Sequence, residues 1–187
     1  MQNTQAFEHT DEAIMGQVQA GALADLSQLF DRYNVAIYNF FLRFTLDSQV
    51  SEDLTQSLFY RILRYRNSFD AGTGSFRSWM YRMARNLYVD HCKEKQRLNG
   101  LVKSVADYPE HIPETEEGFK ERDFDRLKEA MARLAPADRE LIVLNRYEGL
   151  KYAEIAEMRN MSLSAVKVQA HRAIKALRML YFKQQED

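Results

Sequence analysis

The chain has 187 residues, 45% of them hydrophobic and 28% charged, and a net charge of −1. That apolar content suffices for globular cores and excludes wholesale disorder, and no apolar run reaches the length of a membrane span. The polar start Met1–Thr10 does not read as a secretory signal, and the lone Cys92 permits no intrachain disulfide, so a reducing, cytoplasmic setting without membrane insertion is expected.

The near-zero charge balance hides a pattern. Met1–Phe59 is mainly acidic, Tyr60–Lys103 mainly basic, and Tyr108–Asp125 acidic again; from Arg159 to Lys183 the charges are basic, with no acid until Glu186. Two basic segments flanking an acidic one suggest two polyanion-facing surfaces, although on charge alone each is equally well a solvated helix face.

Glycine and proline are scarce and β-branched alternation is absent, so the predicted fold class is all-α. A short helix is expected from Asp11 to about Gln19, with Ile14 and Val18 inward. Ala22–Leu46 carries Leu23, Leu26, Leu29, Phe30, Tyr33, Ile37, Phe40, Phe41 and Phe44 at spacings of three and four, the apolar stripe of a long amphipathic helix. After a turn at Asp47-Ser48, a third helix follows from Val50, Leu54, Leu58, Phe59, Ile62 and Leu63. The stretch Asp70–Ser75, with Gly72 and Gly74, breaks it. Phe76, Trp79, Met80, Met83 and Leu87 define a fourth helix running into a basic tail near Arg97.

Leu98–Glu121, with Gly100, Pro109, Pro113, Gly118 and many acids, has the composition of a linker. Beyond it, Phe124, Leu127, Ala130, Met131 and Leu134 mark one helix, Pro136 suits the first position of another, and Gly149 ends that one. The expected domains are 1–97, a linker over 98–122, and 123–187.

Lys151–Tyr181 reads as a helix-turn-helix. Ala156 supplies the small side chain that two helices need where they cross, Asn160 tolerates the left-handed turn, Ser162 is a plausible N-cap, and Val166 packs inward. In the second helix Val166, Ala170, Ala173, Ile174 and Leu177 fall on one face. Ser164, Lys167, Val168, His171, Arg172 and Lys175 fall on the other, an acid-free face suited to the phosphate-lined major groove.

The N-terminal half narrows the reading. Ser51-Glu52-Asp53-Leu54-Thr55-Gln56-Ser57-Leu58-Phe59 resembles the polymerase-binding helix of sigma factors. Ser75-Phe76-Arg77-Ser78-Trp79-Met80-Tyr81-Arg82-Met83-Ala84-Arg85-Asn86, with Asp90 beyond it, is similar to the promoter-melting helix of the extracytoplasmic-function (ECF) subfamily. The resemblance runs from about Asp11 to Leu180.

It implies a protein that binds core RNA polymerase and reads promoter DNA. Asp53, Gln56 and Ser57 would face the polymerase, Ser57 standing where the family commonly carries an acid. Asp70, Gly72, Ser75 and Asn86 would lie at a pocket for a flipped −10 base. Arg77, Arg82, Arg85 and Lys93 would hold phosphates. Ser164, Lys167, Val168, His171, Arg172 and Lys175 would read the −35 duplex. Trp79 shares the apolar stripe and is expected in the core; Tyr81 lies off it and is the stronger candidate for base stacking. An anti-sigma factor is an implied partner, and the free chain is expected to be a monomer.

No catalytic constellation, cofactor motif or metal-ligand set is found: His91-Cys92 are adjacent with no second pair, and no glycine-rich phosphate loop occurs. The competing function is a conventional helix-turn-helix regulator whose N-terminal half senses a ligand or dimerises.

Overall fold

The computed structural model of the chain describes residues 10–45, 47–98 and 121–183. The predicted acidic linker therefore lies almost wholly outside the described residues, as does the side chain of Phe124. All regular structure among the described residues is helical, and the chain divides into two compact units, Met1–Glu110 and His111–Asp187. No described helix is long and apolar enough to cross a membrane.

The first unit is built from α1 (Asp11–Gln19), α2 (Leu26–Thr45), α3 (Ser48–Arg64) and α4 (Phe76–Leu98), with short 3₁₀ turns at Leu23–Asp25 and Arg66–Ser68. The bounds of α1 are those its periodicity predicts, and the expected Ala22–Leu46 helix divides into a 3₁₀ turn and α2. Side-chain oxygens set two of the starts. Thr10 Oγ1 accepts from Ala13 N at 3.2 Å, and Asp47 Oδ1 accepts from Val50 N at 3.0 Å, each satisfying an amide that the first helical turn leaves unpaired.

Ile14, Met15 and Val18 of α1, Leu29, Ile37, Phe40 and Phe41 of α2, Leu58 and Ile62 of α3, and Phe76, Met80 and Tyr81 of α4 are almost wholly removed from water. Phe40 sits at the centre of an aromatic cluster, its ring edge-on to Phe41 at 5.4 Å, Phe44 at 5.0 Å and Tyr81 at 5.4 Å.

The second unit holds α5 (Glu121–Arg133), α6 (Pro136–Ile142), a π-helical turn (Val143–Tyr147), α7 (Tyr152–Met158) and α8 (Leu163–Lys183). Pro136 is at the start of α6, as its fixed φ favours. Leu134, Ile142 and Ala173 form a buried cluster against which Met131, Leu177 and Leu180 pack. Arg139 closes the end of α5 by donating to the carbonyl of Ala132. The sequence predicts one continuous stripe from Leu141 to Tyr147. The structure instead widens the helix there, with Glu148 N donating to Val143 O at 3.0 Å, until Gly149 at φ 63° ends it.

Candidate functional site

Three surfaces carry the predicted functional residues: one on the second unit and two on the first.

On the second unit, α7 and α8 form the predicted helix-turn-helix. Asn160 sits between them at φ 52°, the single non-glycine residue with positive φ among the described residues. Ser162 Oγ accepts from Ala165 N at 3.2 Å and so starts α8 as an N-cap. Ala156 and Ala170 are 5% exposed and Val166 is fully buried, so the small side chains sit where the helices meet.

A polar chain reinforces this packing. Arg159, at the end of α7, lies 3.6 Å from Glu140 of α6 and donates to Gln169 of α8 at 3.2 Å. Gln169 in turn donates to Asp138 at 2.8 Å. The Arg159 and Glu140 side chains are only 10% and 15% exposed, so this pair is shielded from the screening that weakens surface ion pairs.

All six residues expected to read duplex, Ser164, Lys167, Val168, His171, Arg172 and Lys175, are exposed. Val168 is 60% exposed, an apolar side chain that covers no core in this unit. Its methyl groups are of the kind that meet a thymine methyl in the major groove.

On the first unit, Asp53, Gln56 and Ser57 are exposed on the outer side of α3, while Leu54, Leu58 and Ile62 face the core. Gln49 donates to Asp53 Oδ1 at 3.4 Å. Tyr60, 63% exposed, continues the same strip and was missed by the sequence reading. Its spacing of four from Gln56 is the signal that would have found it.

The third surface is the Asp70–Ser75 turn and α4. Asp70 Oδ1 accepts from Gly72 N at 2.9 Å, and Asp70 O accepts from Thr73 N at 3.1 Å and Thr73 Oγ1 at 3.0 Å. Asp70 thus shapes the turn, and a Cβ on Gly72 would stand 3.2 Å from that same carboxylate oxygen. Ser75 Oγ accepts from Ser78 N at 3.1 Å, which makes it the N-cap of α4. Asn86 and Lys93 are exposed on α4, and Arg77, Arg82 and Arg85 are half-buried. Arg61 meets Asp90 at 3.3 Å, an ion pair too open to water to contribute much stability.

One expectation is corrected. Tyr81 is fully buried, packed against Phe40 and with the Arg77 guanidinium 5.9 Å from its ring centre, so it offers no face to a base. Trp79 is half-buried, its ring 5.5 Å from Phe69 and 5.9 Å from Phe76, in keeping with the packing role expected of it.

The sequence reading also missed the ties that α1 makes to this turn. Glu12 Oε1 accepts from Phe76 N at 2.9 Å, and Gln19 Nε2 donates to both Arg66 O and Phe69 O at 2.8 Å. Asp11 accepts from Arg32 at 2.8 Å and from the Tyr33 hydroxyl. Burial, and then the bond to Asp11, push the Tyr33 phenol above its ordinary value, so it remains a donor.

Comparison with known proteins matches these surfaces to a family. The sigma-70 region 2 profile matches residues 29–98 and the sigma-70 region 4 profile matches residues 124–177. The chain is 27% identical to the RNA polymerase sigma factor CarQ of Myxococcus xanthus, over 89% of this chain and 94% of that one. It is 29% identical to the ECF RNA polymerase sigma factor BldN of Streptomyces coelicolor, over 89% of this chain but only 64% of that protein's length. Among solved structures, the fold is that of the Bartonella quintana sigma factor RpoE, solved with the anti-sigma factor NepR (TM-score 0.72, 21% identity, 83% of this chain and 96% of that one). CnrH, solved with the cytosolic domain of CnrY, is similar at a TM-score of 0.68, 23% identity, and 91% and 96% coverage. With both sigma-70 regions in one chain, and with sigma factors aligned along 89% of its length, the protein belongs to the ECF sigma factors.

Proposed function

We propose that this chain loads onto core RNA polymerase through the outer strip of α3 and directs promoter-specific initiation. Asp53, Gln56 and Ser57 face the polymerase, with Tyr60 extending the contact. The Asp70–Ser75 turn, Asn86 and the basic face of α4 (Arg77, Arg82, Arg85 and Lys93) take the −10 strand. Ser164, Lys167, Val168, His171, Arg172 and Lys175 read the −35 duplex in the major groove. The working division is 1–97 for polymerase and −10, a linker over 98–122, and 123–187 for −35.

The observation that carries the reading is the acid-free, exposed face of α8, in the same chain as an exposed Asp53–Gln56–Ser57 strip on a region 2 helix. A conventional regulator has no use for that second surface. Strand opening without ATP follows the same physics as other base capture: unpairing costs a few kcal/mol per base, which a pocket and its phosphate clamps offset. The buried Tyr81 leaves that pocket to the turn, and Arg77 and Arg82 to the backbone.

The setting is cytoplasmic, and the free chain is a monomer. An anti-sigma partner is part of the proposal, supported by the RpoE structure, which was solved with one.

Run-off transcription with purified core enzyme, on promoters found by mapping transcript starts after overexpression, tests the reading. The expected result is a promoter-dependent transcript, with Gln56→Ala weakening core pulldown while leaving the helical content unchanged. Absence of any transcript together with undetectable core association would overturn it.

A further inference from the structure

The −10 turn hangs between two fixed ends, and both fixtures belong to α1. At its exit, Phe76 N–H is one of the α4 first-turn amides with no partner inside the helix, and it donates to the Glu12 carboxylate at 2.9 Å. A negative charge there also complements the positive end of a 23-residue helix. At its entry, the Gln19 amide spends both its N–H groups on Arg66 O and Phe69 O, at 2.8 Å each. Glu12 and Gln19 lie two turns apart on one helix, about 10 Å along its axis.

The helix itself is firmly placed. Ile14, Met15 and Val18 are completely buried, and Asp11 is bonded to Arg32 and Tyr33 of α2, whose Tyr33 ring lies 5.9 Å from that of Phe76. Yet α1 lies upstream of the region 2 match, which begins at residue 29.

We propose that α1 is a strut that presets the width of the −10 turn, with Glu12 and Gln19 as positioning residues for base capture. They touch no DNA. They act through Phe76 N–H at one end and the Phe69 carbonyl at the other, so that Asp70, Gly72 and Ser75 are held in place before the strand arrives. The inference rests on the −10 role proposed above for that turn.

The test uses the full chain, free and bound to core polymerase, with Glu12→Ala, Glu12→Gln and Gln19→Ala. A glutamine at position 12 keeps an oxygen that accepts from Phe76, so it restores the tie, whereas alanine does not. In the free chain, amide exchange at Thr73 and Phe76 is expected to quicken roughly fivefold in Glu12→Ala and Gln19→Ala, the scale of a lost helix cap, and to stay near wild type in Glu12→Gln. In the holoenzyme, affinity for a single-stranded −10 oligonucleotide falls by a similar roughly fivefold factor. Core affinity and −35 duplex binding stay unchanged.

Equal exchange rates and equal −10 affinity across the four proteins would overturn the proposal. So would a parallel fall in core, −35 and −10 binding, which is what general loss of folding produces. A wild-type chain that binds no core enzyme would instead sink the assigned function, and the exchange rates of the free chain would still decide whether α1 fixes the turn.

Discussion

Replacing Asn160 probes the hinge of the helix-turn-helix. At φ 52° an ordinary L-residue costs about 1–2 kcal/mol, because its Cβ crowds the following carbonyl. Asparagine bears less of that cost, since its short polar side chain bonds locally, and glycine bears none. The expected stability order at this site is therefore glycine equal to or above asparagine, then alanine, then valine. Asn160→Ala should lose about 1 kcal/mol and Asn160→Val about 2 kcal/mol, β-branching making the left-handed region harder to reach. In a domain the size of the second unit, each kcal/mol corresponds to roughly 4–8 °C in Tm. Calorimetry on the full chain, following the transition of the second unit, is the assay, paired with −35 duplex binding by the holoenzyme. Asn160→Gly should retain −35 affinity and Asn160→Val weaken it, because the turn sets how α8 meets α7. Equal Tm values for the glycine and valine variants would refute the reasoning.

Two further outcomes are expected. Tyr81→Ala removes a fully buried ring and should cost about 3–5 kcal/mol, seen as an early unfolding transition of the first unit and not as a selective loss of −10 binding. Arg172→Ala should relax −35 sequence preference by about 1–3 kcal/mol if the exposed guanidinium reaches a base edge; an equal loss on every −35 sequence would identify a phosphate contact.

Much of the architecture is local enough to be read from the chain. The bounds of α1, the break before α3 at Asp47, the start of α6 at Pro136 and the Asn160 turn all follow from spacing and side-chain chemistry within a few residues. Tyr81 was misread for a geometric reason. A helix covered by neighbours on more than one side buries a wider arc than a simple stripe, so a residue one step off the Phe76–Met80 row still points at Phe40. The π turn at Val143–Tyr147 leaves the apolar pattern intact and therefore silent. The ties of Glu12 and Gln19 span 64 and 50 residues of chain, a separation over which no periodicity speaks.

The Arg159–Gln169–Asp138 chain has a consequence for how such a protein diversifies. The polar bonds that hold α8 at its tilt are made by Gln169, while Arg159 caps the end of α7 and Asp138 lies on α6. On the −35 role proposed above, substitutions at the exposed Lys167, Val168, His171 or Arg172 would thus change what is read without disturbing how the reader is mounted. New promoter preferences are then within reach of single mutations, each inherited by a domain that still folds.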